Sequence, residues 1–240
     1  MSHSIEVLET ADLLAARAVA IIHAAARRAI EEHGEFLLAV PGGSTPKLTL
    51  SFLASRAGFP WERTVLGLTD ERLVPPEDER SNLFMLRRVL LDPLTAMGLS
   101  PKRVIKWPTE DGPALPAKAE AALTGGLGDR HFDLVVLGLG PDGHVASVFP
   151  GAVQSVPGQR VQRSNPTEGL EPAVFRISLT MAEINEASER LILVEGSDKR
   201  AIAARVLARA PDALELPGTN LSESETLWLL DRAAAADIKA

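Results

Sequence analysis

The segment from Asp133 to Gly151, DLVVLGLGPDGHVASVFPG, constrains the fold more than any other stretch of this chain. The run Asp133-Leu134-Val135-Val136-Leu137 presents apolar side chains to both faces, the pattern of a central strand in a parallel sheet covered on both sides. It ends in a glycine-rich turn that also holds Asp142 and His144. Turns after parallel strands open at the carboxyl edge of the sheet, where α/β proteins bind ligands. Further apolar runs at Glu35–Val40, Val65–Thr69 and Leu191–Val194 alternate with helical patterns, beginning with an Ala-rich helix over Ala11–Glu32. The expected fold is α/β, with parallel strands alternating with helices. Leu227, Trp228 and Leu230 fall at helical spacing and predict a closing helix over Ser222–Ala236. The Pro-rich polar stretches Pro101–Pro116 and Gln154–Pro172 read as surface loops bordering the sheet, either one a candidate lid.

Gly138, Gly140 and Gly143 match G-x-G-x-x-G after a strand, which raises a dinucleotide site. That fingerprint also requires a helix after the glycines and a ribose-binding carboxylate about 20 residues on. Glu168 lies near that distance, but the stretch before it is rich in Pro, Gly and Ser, and Pro141 and Asp142 add chemistry that a pyrophosphate cradle does not need. A catalytic loop is the better reading. His144 follows Asp-Gly on a strand-terminal turn, and an imidazole with a pKa of about 6.5 suits proton transfer near neutrality. His23 and His33 fall in or at the end of the Ala-rich helix and are given no role.

Three more segments carry chemistry. The run Glu35–Val40 leads into Pro41-Gly42-Gly43-Ser44-Thr45-Pro46, an anion cradle of close backbone, hydroxyls and a helix start. Its spacing is not that of a P-loop. The strand Val65–Thr69 ends in Asp70-Glu71-Arg72, with Val74-Pro75 and Ser81-Asn82 beyond. The alternating strand Phe175–Thr180 has Arg176 in its interior, and Lys199 begins the helix after Leu191–Val194. An arginine inside a strand needs a partner or exposure. On one rim, Arg176 as a fork and Lys199 as a point charge would clamp a phosphate.

At 240 residues the chain fits one α/β domain over residues 1–240. With no cysteine and no metal-ligand spacing among five histidines, neither disulfides nor a metal site is expected. A net charge of −7 without a basic block argues against nucleic acid, and no run is long and apolar enough for a bilayer span. The acidic N-terminal stretch does not read as a secretory signal, so a cytoplasmic protein is expected.

Taken together, Gly42 to Pro46, Asp70-Glu71-Arg72 with Val74-Pro75 and Ser81-Asn82, Gly138 to Gly151, Arg176 to Thr180, and Lys199 resemble the 6-phosphogluconolactonase family over nearly the whole chain. The resemblance implies a fold like that of the glucosamine-6-phosphate deaminase and ribose-5-phosphate isomerase group, a Rossmann-like parallel-sheet sandwich flanked by helices, and no metal or organic cofactor. It implies hydrolysis of 6-phospho-D-glucono-1,5-lactone to 6-phospho-D-gluconate in the oxidative pentose phosphate pathway, by a monomer or weak homodimer. Val145 stands where that family usually has threonine and Val148 where it has leucine. Related amino-sugar phosphate deaminases follow the Asp-Gly-His loop with Asn-Glu-Pro, whereas Gly143 to Thr167 contains no acidic residue here.

On this reading Gly42, Gly43, Ser44, Thr45, Arg176 and Lys199 hold the 6-phosphate. His144 activates water against the lactone carbonyl, Asp142 or Asp70 orients the imidazole or the water, and Arg72 or loop amides stabilise the oxyanion. Ser44 lacks the G-x-S-x-G elbow and reads as a phosphate ligand. Competing expectations are an amino-sugar 6-phosphate deaminase or isomerase, a nicotinamide-binding redox domain using Gly138–Gly143, and a non-catalytic sugar-phosphate sensor.

Overall fold

The computed structural model describes residues 4–110, 112–151, 158–166, 169–209 and 213–238. Among the described residues, ten strands form two sheets. A parallel sheet of seven strands runs in the order β1 (Ser4–Leu8), β10 (Thr226–Asp231), β9 (Glu189–Val194), β6 (Leu134–Gly138), β2 (Phe36–Val40), β3 (Thr64–Leu68), β5 (Arg103–Val104). An antiparallel sheet of three strands runs β4 (Asp70–Arg72), β8 (Arg176–Leu179), β7 (Val161–Ser164). No helix among the described residues is long and apolar enough to cross a membrane.

Local sequence explains the framework. Helix α1 (Ala11–His33) starts where the Thr10 hydroxyl accepts the Leu13 amide at 3.3 Å and stops at Gly34, whose φ of 90° suits a residue without Cβ. Its buried stripe of Leu14, Ala18, Ile22, Ala25, Ala26 and Ala29 packs on α2 (Ser44–Ala54) and on strands β2 and β10. Small residues there let helix and sheet approach closely. Strands β2 and β3 are buried along their full length, as unbroken apolar runs require.

The two sheets meet at Thr69. Its amide donates to Val40 at 3.0 Å, in register with the parallel sheet, and its carbonyl accepts Leu179 at 2.9 Å, which begins the antiparallel one. The charged triplet after β3 is therefore a strand, β4, rather than a solvated strand end. Strand β2 has β3 on one side and β6 on the other, so the chain reverses direction of travel across the sheet between β2 and β6. Loops that diverge from such a point leave a crevice at the carboxyl edge.

Two expectations about segments are corrected. The predicted closing helix over Ser222–Ala236 is strand β10, inserted between β1 and β9. Thr226–Asp231 is almost unbroken in apolar character, and a short apolar run has no period that separates helix from buried strand. The stretch Pro101–Pro116 is not merely a surface loop. It contains edge strand β5 and buries Ile105 and Trp107, the indole of Trp107 donating to the Leu68 carbonyl at 3.0 Å. In Gln154–Pro172 the described part includes β7, paired with β8. Residues 154–157 and 167–168 of that stretch, Glu168 among them, lie outside the described residues.

Glu71 anchors β4 to the helix α3 (Asn82–Leu86). Although 2% exposed, its carboxylate accepts the amides of Arg72 and Asn82 at 2.7 Å, of Leu83 at 2.8 Å, and the Ser81 hydroxyl at 3.0 Å. Burial pushes its pKa up, against the pull of those four donors. Glu71→Gln turns one acceptor toward donors with a group that can only donate. The expected loss is about 2 kcal/mol, within the range for an unsatisfied buried group, read as a lowered melting temperature at pH 7. An unchanged melting temperature would show that the four donors do not depend on the charge.

Candidate active site

The crevice is a cleft of about 240 Å³ lined by the loops after β2, β6 and β9 together with residues of β4 and β8. Of the residues expected from sequence, Gly42, Gly43, Ser44, Thr45, Asp70, Arg72, His144, Arg176 and Lys199 all line it. Asp142 stands behind His144. His23 and His33 are elsewhere: His23 accepts Arg56 Nε and packs on Phe59, and His33 pairs with Asp133.

The loop after β6 builds a His–Asp pair. Asp142 Oδ1 lies 2.5 Å from His144 Nδ1 and also accepts the His144 amide at 3.2 Å. The imidazole folds back over Gly140, where an added Cβ would stand 2.1 Å from Nδ1, so only glycine fits. The ring packs on Phe149 with centroids 4.9 Å apart. Burial raises the pKa of Asp142, but the hydrogen bond and charge of His144 and nearby amides outweigh it and leave the group below its usual value. The stability linked to that shift is present above the ordinary aspartate pKa and is lost as pH falls through the lowered one. An ionised Asp142 accepts only, which assigns the proton to Nδ1 and leaves the Nε2 lone pair for chemistry. No helix follows Gly143 in residues 144–151, so the G-x-G-x-x-G match lacks the helix that a pyrophosphate would sit on.

The loop after β2 supplies the anion cradle. Gly42 abuts Asn82, whose Oδ1 would lie 1.9 Å from an added Cβ, and Gly43 adopts φ 104° to turn into α2. Helix α2 then begins at Ser44, with no side-chain cap and no acidic residue in its first turn. The amides of Ser44 and Thr45 belong to the first turn, where a helix has no internal acceptor to offer.

The antiparallel sheet contributes two arginines that face each other. Arg72 and Arg176 are register partners on β4 and β8. Like charges directly opposed across strands are unfavourable. The Nε atoms of both are buried and have no hydrogen-bond partner among the described residues. Arg72 Nη1 donates to the Arg80 carbonyl at 2.6 Å and Arg176 Nη2 to the Pro172 carbonyl at 3.2 Å. Burial lowers the pKa of Arg176, the charge of Arg72 adding to this while Asp70 and Asp142 oppose it. A buried Arg176 beside a half-buried Arg72, each with a buried Nε donor unused among the described residues, is suited to an incoming anion. Lys199, on the turn after β9, completes the basic lining opposite an Asp198 carboxylate 3.8 Å away.

Among the described residues no hydrogen bond joins Asp70 to His144. Its carboxylate accepts the Ser147 hydroxyl at 2.6 Å and the Thr69 hydroxyl at 3.2 Å, and its carbonyl accepts Asn82 Nδ2 at 2.9 Å. Of the two carboxylates left open as orienting groups, Asp142 is therefore the one that holds the imidazole. Sequence reasoning did not single out Ser147 or Phe149 for the site. Their place within the Gly138–Gly151 loop was the available signal, but their partners lie on other strands.

A family model described as glucosamine-6-phosphate isomerases/6-phosphogluconolactonase matches residues 9–228. The 6-phosphogluconolactonase of Nostoc sp. is 33% identical over 246 residues, covering 99% of each chain. The crystal structure of 6-phosphogluconolactonase from Leishmania guyanensis has a TM-score of 0.86 at 26% identity, covering 100% of both chains. A monomeric glucosamine-6-phosphate deaminase, 19% identical with a TM-score of 0.75 over 98% of this chain and 99% of its own, shares the fold. With a family model spanning most of its length and a full-length relative at a third identity, the chain belongs to the family of glucosamine-6-phosphate isomerases and 6-phosphogluconolactonases.

Proposed function

We propose that this chain, acting as a single lactonase domain, hydrolyses 6-phospho-D-glucono-1,5-lactone to 6-phospho-D-gluconate. The observation that carries the reading is the pairing, in one cleft, of a His144–Asp142 base with two arginines whose buried Nε donors have no partner among the described residues. The first-turn amides of α2 with Ser44 and Thr45, together with Arg176 and Lys199, hold the 6-phosphate. That binding, remote from the reacting carbon, brings the lactone carbonyl beside the imidazole.

His144 Nε2 takes a proton from water as the water oxygen bonds to the carbonyl carbon. The oxyanion that forms is stabilised by Arg72 and loop amides. The bond from that carbon to the ring oxygen then breaks, and the imidazolium returns its proton to the departing oxygen. Asp142 fixes the tautomer at the start and balances the imidazolium in between. Product acid ionises, so each turnover releases one proton.

The deaminase reading lacks support in the same loop, because no acidic residue follows Asp142 through Gly151. The test is proton release in weak buffer with freshly prepared 6-phosphoglucono-δ-lactone, corrected for uncatalysed opening. Acceleration over the background is the expected result. No acceleration, with amino-sugar phosphates turned over instead, would replace the lactonase reading by the deaminase one.

A further inference from the structure

Ser147 is fully buried, and its hydroxyl and amide both bond outside its own loop. The hydroxyl donates to Asp70 Oδ2 on β4 at 2.6 Å, and the amide donates to the Ser178 hydroxyl on β8 at 3.1 Å. Ser178 in turn donates to the Leu179 carbonyl at 2.9 Å. These bonds fasten the loop that carries His144, rooted in the parallel sheet, to the antiparallel strands that carry Arg72 and Arg176. The residue before the clamp is strained. Ala146 lines the cleft with φ 50°, a left-handed backbone that costs an L-residue about 1–2 kcal/mol. A bridge between Val145 and Val148, closed by the Val148 amide on the Val145 carbonyl at 2.9 Å, holds the turn on either side. Strain of this kind persists where surrounding contacts over-determine it.

The Asp70 carboxylate that Ser147 holds is itself 4% exposed and reaches the cleft among charged neighbours. Arg72 is on its own strand, Arg176 on β8, and Asp142 with His144 on the loop above. Its other side-chain donors are distant, Thr69 at 3.2 Å and Asn82 at 3.4 Å. The short bond from Ser147 is the one that sets the direction of the carboxylate.

We infer that Ser147 is a positioning residue for lactone hydrolysis, its hydroxyl aiming Asp70 into the cleft while its amide keeps the His144 loop in register with the two arginines. This rests on the hydrolytic reading above. The phosphate cradle of α2 and Lys199 lies on other loops, and Arg176 is held on β8 by pairing with both β4 and β7, so the Ser147 hydroxyl governs turnover and leaves substrate binding nearly untouched.

The experiment is a double-mutant cycle on the full chain with Ser147→Ala and Asp70→Asn, following kcat and KM for 6-phosphoglucono-δ-lactone. Wild-type acceleration is measured first, because its absence refutes the hydrolytic reading itself. Ser147→Ala is expected to lower kcat about 30-fold with KM within twofold, and to lower it less than about threefold in the Asp70→Asn background, because contacting residues are non-additive. Ser147→Cys, close in size with a weaker donor, should fall between wild type and alanine, and serves also if the alanine variant does not fold. Additive effects, a raised KM at unchanged kcat, or a kcat within twofold of wild type in either Ser147 variant would overturn the assignment.

Discussion

His144→Ala is expected to lower kcat for lactone hydrolysis by about 10³-fold, within the range that general acid–base groups supply. The imidazole meets Asp142, Phe149 and Gly140, all within its own loop, and among the described residues no hydrogen bond ties its ring to another element. The melting temperature should therefore shift little. Because lactones open unaided, residual turnover has to be read against the blank. A variant hydrolysing at near the wild-type rate would remove the base from the mechanism. So would a large fall in melting temperature that accounted for the lost activity.

The second large effect concerns Arg176. Methionine in its place keeps the packing on Phe149, where the guanidinium carbon lies 5.4 Å from the ring centroid, and removes the charge. One charge-assisted pair to a phosphate contributes about 1.5–3 kcal/mol, so kcat/KM for the phosphorylated lactone should fall about 10–100-fold. The same substitution should leave an unphosphorylated gluconolactone nearly unaffected. Equal losses on both substrates would detach Arg176 from the phosphate and make its role one of packing.

These two residues also show what the amino-acid order reveals and what it conceals. His144 was legible because its neighbours in sequence are its neighbours in space: Asp142, Gly140 and Phe149 all sit within one turn of chain. The parallel strands were legible for a similar reason, since a strand covered on both faces must be apolar at every position. Arg176 was recognisable as an oddity inside a strand, but its partner was not. Nothing local says that Arg72 will lie opposite, because that register depends on Thr69 carrying the chain from one sheet into the other. The same long-range pairing hid the contact between Ser147 and Asp70. Strand β10 was misread because its apolar run is short enough to fit either period, and only the strands on both sides of it decide the matter.

The opposition of Arg72 and Arg176 has a cost when the cleft holds no anion. The two guanidinium groups, Arg176 buried and Arg72 half-buried, repel each other in register, and their buried Nε donors have given up water. A protein selected for durability alone would discard one of them. Arg176→Met is therefore expected to melt no lower than the parent in the absence of ligand even as its activity falls, the trade between stability and function that active sites commonly show. The unmodified chain, conversely, gains resistance to unfolding from whatever phosphorylated sugar surrounds it, in proportion to the logarithm of that ligand's concentration over its dissociation constant. Metabolic supply would then set not only how fast this molecule works but how long it lasts.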